Sequence, residues 1–368
     1  MTEQVKHYFA RGNTADGLHS LVKSVYQGLN TIYVVQGYPG GTAALIGGIA
    51  SAWTARGWNL ELIHQPLESD LLEGIILEDA RIGLVDSDAW SDDFILEGTE
   101  IRYFDIRGTF DAQKIAENSE TIAILESEIS NLHVKAYETF LRTLRIHDEW
   151  EKFYIDNLDR GVMDQLAQEW GDEYLIPQLE GKVSVATHRF LGAATSRGAV
   201  DFVPNLTDKL QTRIFVKGRP GSGKSTLFKK IANSALDRGI DTEIYHCGFD
   251  PHSLDMLIFP ELSLAIFDST APHEHYPVRE GDSILDVYEL AITEGTDEKY
   301  ALEVADVKAR YTSSMKESTA YLTQAKQTRD QLRDIYLGAV DAEALFKCTE
   351  SLLNEIDGLV SGIATTAH

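Results

Sequence analysis

Short, continuously apolar runs alternate along the chain with longer stretches in which apolar residues recur every three or four positions. The first run, Ile32-Tyr-Val-Val35, predicts a buried strand. A helical stretch follows and ends near Arg56-Gly57, where the glycine is placed to stop it. Further strands are predicted at Leu60–His64 and Ile82–Asp86. The same order then returns: a run Arg213-Ile-Phe-Val216, a helix ending near Arg238-Gly239, and strands at Thr242–His246 and 262–268. Continuous apolar strands alternating with helices predict a parallel sheet covered on both faces. After each third strand comes a long amphipathic extension. Its apolar positions are Ile115, Ile122, Leu125, Ile129, Leu132, Ala136 and Phe140 in the first case. In the second they are Val304, Val307, Tyr311 and Met315, resumed at Leu322, Ala325, Leu332 and Ile335. A last helix is predicted from an Asp341 N-cap through Leu345, Cys348, Leu352, Ile356 and Leu359. These helices predict one antiparallel hairpin per half. The plainer expectation is that each packs on its own sheet, and the sharper one that the hairpins form a partner or inter-copy interface.

The parallel between the halves is a sequence repeat. Residues 41–89 align without gaps to residues 223–271, with 13 of 49 positions identical, where chance gives about three. Upstream, His7-Tyr-Phe-Ala matches His188-Arg-Phe-Leu and Gly17 matches Gly198, one residue out of step. That residue is missing from the first loop: Gly37-Tyr-Pro-Gly-Gly41 stands against Gly218-Arg-Pro-Gly-Ser-Gly223. The boundary between copies is placed at Pro177-Gln-Leu-Glu-Gly-Lys182, where proline and glycine suit a turn. Two domains are therefore expected, residues 1–180 and 181–368.

Gly218, Gly223, Lys224 and Ser225 match G-x-x-x-x-G-K-[ST], between an apolar strand and a helix, the setting this phosphate-binding loop requires. Glycines let the backbone approach a ligand, and successive N–H groups form an anion nest at the positive end of the following helix. Gly218, Arg219, Pro220, Gly221, Ser222, Gly223, Lys224, Ser225 and Thr226 are the expected nucleotide contacts. Lys224 is assigned to the β/γ-phosphates, and Ser225 to Mg²⁺. Asp268, at the end of the third strand, is assigned to the same metal and, with Lys224, to catalysis. Ser269, Thr270 and Ala271 follow it, so the glutamate that activates water in many ATPases is missing. The fold class is thus read as α/β, two tandem P-loop NTPase-like parallel-sheet domains, each with an appended helical hairpin.

In the first copy Thr42 takes the place of Lys224 and Ala43 that of Ser225, although Asp86 remains. This copy is expected to fold like the second without binding nucleotide productively, and to complete an interface or donate a residue across it. Arg56 and Arg81 could in principle serve as arginine fingers, though solvated surface arginines are the plainer expectation. His246, His252, His273 and His275 cluster around the second site, and His246 shares its repeat position with His64. His246 lies beside Cys247, yet no zinc spacing appears. Contact with a phosphoacceptor by His246, Asp250, Asp255 or His273 is one reading, and a structural role at the strand end is another.

Composition narrows the partners. The chain has 368 residues, of which 43% are hydrophobic and 25% charged, with a net charge of −25. Such a charge disfavours a nucleic-acid backbone or an anionic membrane. Two cysteines, Cys247 and Cys348, fit free thiols in a reducing compartment. The N-terminus lacks an apolar signal core, and a cytoplasmic location is expected.

The stretches Gly218-Arg-Pro-Gly-Ser-Gly-Lys-Ser-Thr-Leu, Tyr245-His-Cys-Gly-Phe-Asp250, Ser253-Leu-Asp and Ile266-Phe-Asp-Ser-Thr-Ala-Pro-His273 resemble a family of bacterial ATP-binding proteins with two tandem P-loop repeats, found mainly in Firmicutes. Through the repeat, the resemblance covers nearly the whole chain. It implies a cytoplasmic ATPase or nucleotide-kinase-like fold that uses ATP. Three functions stay open: a Mg²⁺-dependent ATPase or nucleotide-gated switch, a small-molecule or nucleotide kinase with its acceptor near His246 and Asp250, and a non-catalytic nucleotide-binding scaffold. A protein partner or self-association through the hairpins accompanies the first.

Overall fold

The structure is a computed structural model that describes residues 5–176 and 181–366. Most of the expected boundary at residues 177–182 therefore lies outside the described residues. The first half contains β1 (Val5–Tyr8), β2 (Arg11–Thr14), β3 (Gly17–Ser20), β4 (Thr31–Gln36), α1 (Gly41–Ala55), β5 (Leu60–His64), β6 (Leu72–Leu77), β7 (Ile82–Asp86), β8 (Glu100–Asp105), α2 (Ser119–Ile155) and α3 (Arg160–Tyr174). The second half repeats that order as β9 (Ala186–Phe190), β10 (Gly192–Thr195), β11 (Gly198–Asp201), β12 (Thr212–Lys217), α4 (Lys224–Asp237), β13 (Thr242–His246), β14 (Leu254–Phe259), β15 (Leu264–Asp268), β16 (Asp282–Asp286), α5 (Ala301–Ala339) and α6 (Ala342–Thr366). Short helical turns fill some connections. The repeat thus reaches well past residue 89: β8 and β16, α2 and α5, and the capping residues Asp159 and Asp341 all keep the same spacing.

Each half builds one six-stranded sheet, ordered β1-β5-β6-β7-β4-β8 and β16-β12-β15-β14-β13-β9. The sheets are mixed, which corrects the expectation of parallel sheets. β6 runs antiparallel to β5 and β7, and β14 antiparallel to β13 and β15. The chain between β5 and β6, residues 65–71, is too short for a crossover, so the next strand must reverse. Leu72–Leu77 and Leu254–Phe259 are apolar enough to be strands, but they hid inside what reads as a short connection.

The compact units do not follow the repeat boundary. One contains residues 5–11, 22–133 and 321–366, and the other residues 12–21, 134–176 and 181–320. In the first unit, Leu45, Ile46, Ile49 and Trp53 of α1 pack on the sheet together with Leu352, Leu353 and Ile356 of α6. In the second, Leu227, Phe228 and Ile231 of α4 pack with Met163, Ala167 and Trp170 of α3. Each sheet is therefore covered by a helix from the other half of the sequence, against the plainer expectation. Helix length is the physical reason. α2 has 37 residues and α5 has 39, roughly 55 Å each, whereas five- or six-residue strands span roughly 20 Å. A helix so long overshoots its own sheet and delivers the next helix elsewhere. The same exchange appears in the backbone: Phe110 bridges Val340 in the first unit, and Leu158 bridges Ile292 in the second.

Candidate functional site

In the second unit β12 is flanked by parallel strands β15 and β16, and its apolar residues Ile214, Phe215 and Val216 are buried. The loop after it turns at Gly221 (φ 76°) and Gly223 (φ 87°), both in the left-handed region. A side chain at Gly221 would place its Cβ 2.3 Å from the Glu151 carbonyl oxygen of α2, so only glycine fits. The loop is also braced internally. Ser222 Oγ accepts from the Arg219 N–H at 3.1 Å and donates to the Arg219 carbonyl at 2.7 Å. Gly223 caps α4 without a side chain, leaving the first-turn N–H groups to face the loop. Lys224 Nζ donates to the Arg219 carbonyl at 3.1 Å and lies 3.5 Å from Asp268 Oδ2. Ser225 Oγ accepts from the Leu254 N–H at 3.0 Å. The Arg219 side chain leans outward over the Tyr288 ring and pairs with Asp297 at 2.9 Å.

Carboxylates and histidines stand opposite. Asp268 Oδ1 accepts from the N–H and the hydroxyl of Thr270, at 3.0 and 2.6 Å. Asp255 of β14 is the next residue toward that edge after the paired Met256 and Phe267, and so neighbours Asp268. Burial, followed by the charge of Asp268, pushes the Asp255 carboxyl up to about 6. His273 Nδ1 is 2.9 Å from Asp201 Oδ2, and His275 Nε2 is 3.1 Å from Oδ1. Burial disfavours the charged form of His273, but the Asp201 hydrogen bond and the charges of Asp255, Asp201 and Asp268 outweigh it and raise its pKa.

All nine expected loop residues and Asp268 line one cavity of about 1300 Å³, with Asp250, Asp255 and His273. His246 does not line it. Both its ring nitrogens are engaged, with His188 at 2.7 Å and the Pro251 carbonyl at 2.6 Å, which is the structural role at a strand end. His7 and His64 repeat this pair in the first unit at 2.8 Å. His252 points to Asp16 at 2.6 Å. Sequence reasoning missed the wall supplied by α2 and α5: His147, Trp150, Glu151, Tyr154 and Lys308 line the cavity with Tyr311, which had been read only as part of an apolar stripe. Their signal was the run of large rings between His147 and Tyr154, just beyond the last apolar position read as helix. His147, Asp148 and Glu151 also bring ligand atoms within 4.8 Å of one another.

The matching loop of the first unit is closed. Thr42 Oγ1 donates to Asp86 Oδ2 at 2.6 Å, where the second loop sets a lysine against an aspartate. Glu73, at the repeat position of Asp255, is buried against Arg11 at 2.7 Å. Tyr38 stacks on Tyr336 of α5 with centroids 4.7 Å apart, and Phe110 meets Tyr38 edge-on. A Cβ on Gly41 would lie 2.5 Å from the Phe110 ring. Arg56 pairs with Asp357 at 2.7 Å and Arg81 donates to the Gly28 carbonyl, so both side chains are engaged within that unit. Among the described residues no helix is long and apolar enough to cross a membrane. Compared with protein-family models, curated proteins and solved structures, the chain matches none.

Proposed function

We propose that this protein is a cytoplasmic, Mg²⁺-dependent ATP-binding P-loop NTPase with one competent site, in the second unit, like the bacterial tandem-repeat family it resembles. The observation that carries the reading is the pairing of Lys224 with Asp268 at 3.5 Å inside an open cavity, under a glycine loop whose following helix has no side-chain cap. The residues fit the ligand. Backbone N–H groups of 219–225 and Lys224 would hold the phosphates, and Ser225 and Asp268 would hold Mg²⁺, which would screen the charge that develops between phosphates. Lys224 already lies along the loop, bonded to the Arg219 carbonyl, and has only to exchange that partner for a phosphate oxygen. A cavity of about 1300 Å³ exceeds the roughly 300–1,000 Å³ of ordinary ligand pockets.

That surplus favours a second reading, a phosphotransferase whose acceptor sits beside Asp250 and Asp255. In it Asp255 takes the acceptor's hydroxyl proton while Lys224 steadies the transferring phosphoryl group. Calorimetric titration of the full chain with a non-hydrolysable ATP analogue tests the main reading. Saturable binding that weakens at least about tenfold without Mg²⁺, and loses that dependence in Asp268→Asn, is expected. Binding indifferent to both changes would remove the metal assignment.

A further inference from the structure

Four rings on three different segments gather in the nucleotide cavity. His147 lies 6.4 Å from Trp150, 6.2 Å from Phe249 and 5.8 Å from Tyr311, measured between centroids. Trp150 and Phe249 each approach Tyr311 as well, at 5.9 and 6.1 Å. All four line the cavity and none is fully buried, so each leaves surface to it instead of closing into a core. The surrounding charge is acidic. Nine carboxylates line the same space, Asp148, Glu151, Asp250 and Asp255 among them, against seven basic residues, of which Lys217, Arg219, Lys224 and Lys230 each already face a carboxylate. Burial, the leading cause, keeps the His147 ring below its ordinary pKa and hence neutral near pH 7, so it adds no positive charge to the box.

Ring faces carry negative charge density and attract a cation within about 6 Å, most strongly where water is partly excluded. Carboxylates nearby add to that attraction and repel an anion. His147, Asp148 and Glu151 bring ligand atoms within 4.8 Å of one another, but the faces of Trp150, Phe249 and Tyr311 offer a metal ion no ligand and suit an ammonium group. We propose that the box formed by His147, Trp150, Phe249 and Tyr311 is a second subsite that binds an organic ammonium group. The inference goes beyond the nucleotide reading and does not require it.

Calorimetric titration of the full chain with choline, and with 3,3-dimethylbutan-1-ol as its uncharged isostere, tests the proposal. Saturable choline binding, about tenfold tighter than that of the isostere, is expected, since the ring faces attract the cation and not an uncharged group of the same shape. Tyr311→Ala should weaken choline about tenfold, and Tyr311→Phe should keep it within about threefold, because the ring and not the hydroxyl makes the contact. Equal affinity for choline and its isostere in the unaltered protein, or no saturable choline binding, overturns the proposal whether or not the variants fold. Lys224→Ala separates the two readings: ATP binding should weaken about 100-fold or more while choline binding stays. If the unaltered protein binds choline but no nucleotide, the NTPase reading fails and the ammonium site stands.

Discussion

The two glycine loops share one scaffold and have opposite interiors. Around the first, buried charges have internal partners: Arg11 holds Glu73, Thr42 holds Asp86, and Arg333 holds Glu68 at 2.8 Å. Tyr38, Phe110 and Tyr336 fill the remaining space. Around the second, Gly192 stands where the repeat has Arg11, Lys224 where it has Thr42, and a cavity where it has rings. On the function proposed above, loss of a ligand site is thus more than loss of a lysine: buried charges left without their ligand are costly, so a loop that does not bind needs partners from within.

Four measurements can break or sharpen this contrast. The largest expected effect is on nucleotide affinity. Lys224→Ala should cost about 100-fold or more, since hydrogen bonds to charged groups contribute about 1.5–3 kcal/mol each, while Thr42→Ala should leave ATP affinity unchanged in the same titration. A loss from Thr42→Ala would place the site in the wrong unit. Next, Arg11→Ala strands Glu73 in a buried place and should destabilise the protein by about 3–5 kcal/mol in urea unfolding. The double variant Arg11→Met with Glu73→Met should recover most of it; a single variant as stable as the original would show that the pair does not neutralise this loop. Phe110→Ala should cost up to a similar amount, about 3–5 kcal/mol, by opening a void, and should still leave ATP affinity as it was.

The fourth effect concerns the duplicated histidine pairs. Burial first, and a neighbouring histidine in addition, holds His64 and His246 at about 4 against an ordinary 6.5. The unfolded chain then binds protons that the folded one refuses. Stability is therefore full above about 6.5 and falls as the pH drops toward about 4, by roughly 1.4 kcal/mol per unit for each ring inside that window. Unfolding midpoints at pH 7, 5.5 and 4.5 should show a shallower slope for His64→Asn with His246→Asn than for the unaltered protein.

Much of this was legible in the residues. The repeat, the strand–loop–helix order and the convergence of residues 218–226 with Asp268 follow from apolar period and glycine spacing. Asp341 caps α6 as its position before the apolar stripe suggested. What stayed hidden depends on distance along the chain. Period alone gives no destination for α3 or α6, because Met163 and Leu352 would look equally apolar on either sheet. For the same reason Trp150 and Tyr311, far apart in sequence, gave no sign of sharing a wall. The antiparallel β6 and β14 escaped because strand direction is set by connection length, not by composition.

Helix exchange also sets an order on synthesis. The first sheet leaves the ribosome well before the residues that cover its α1 face, Leu352, Leu353 and Ile356. Until they emerge, Leu45, Ile49 and Trp53 have no complete shelter, so the half made first is the half finished last. Nascent chains halted before residue 342 should therefore stay protease-sensitive at the first sheet, even with the second already closed by α3.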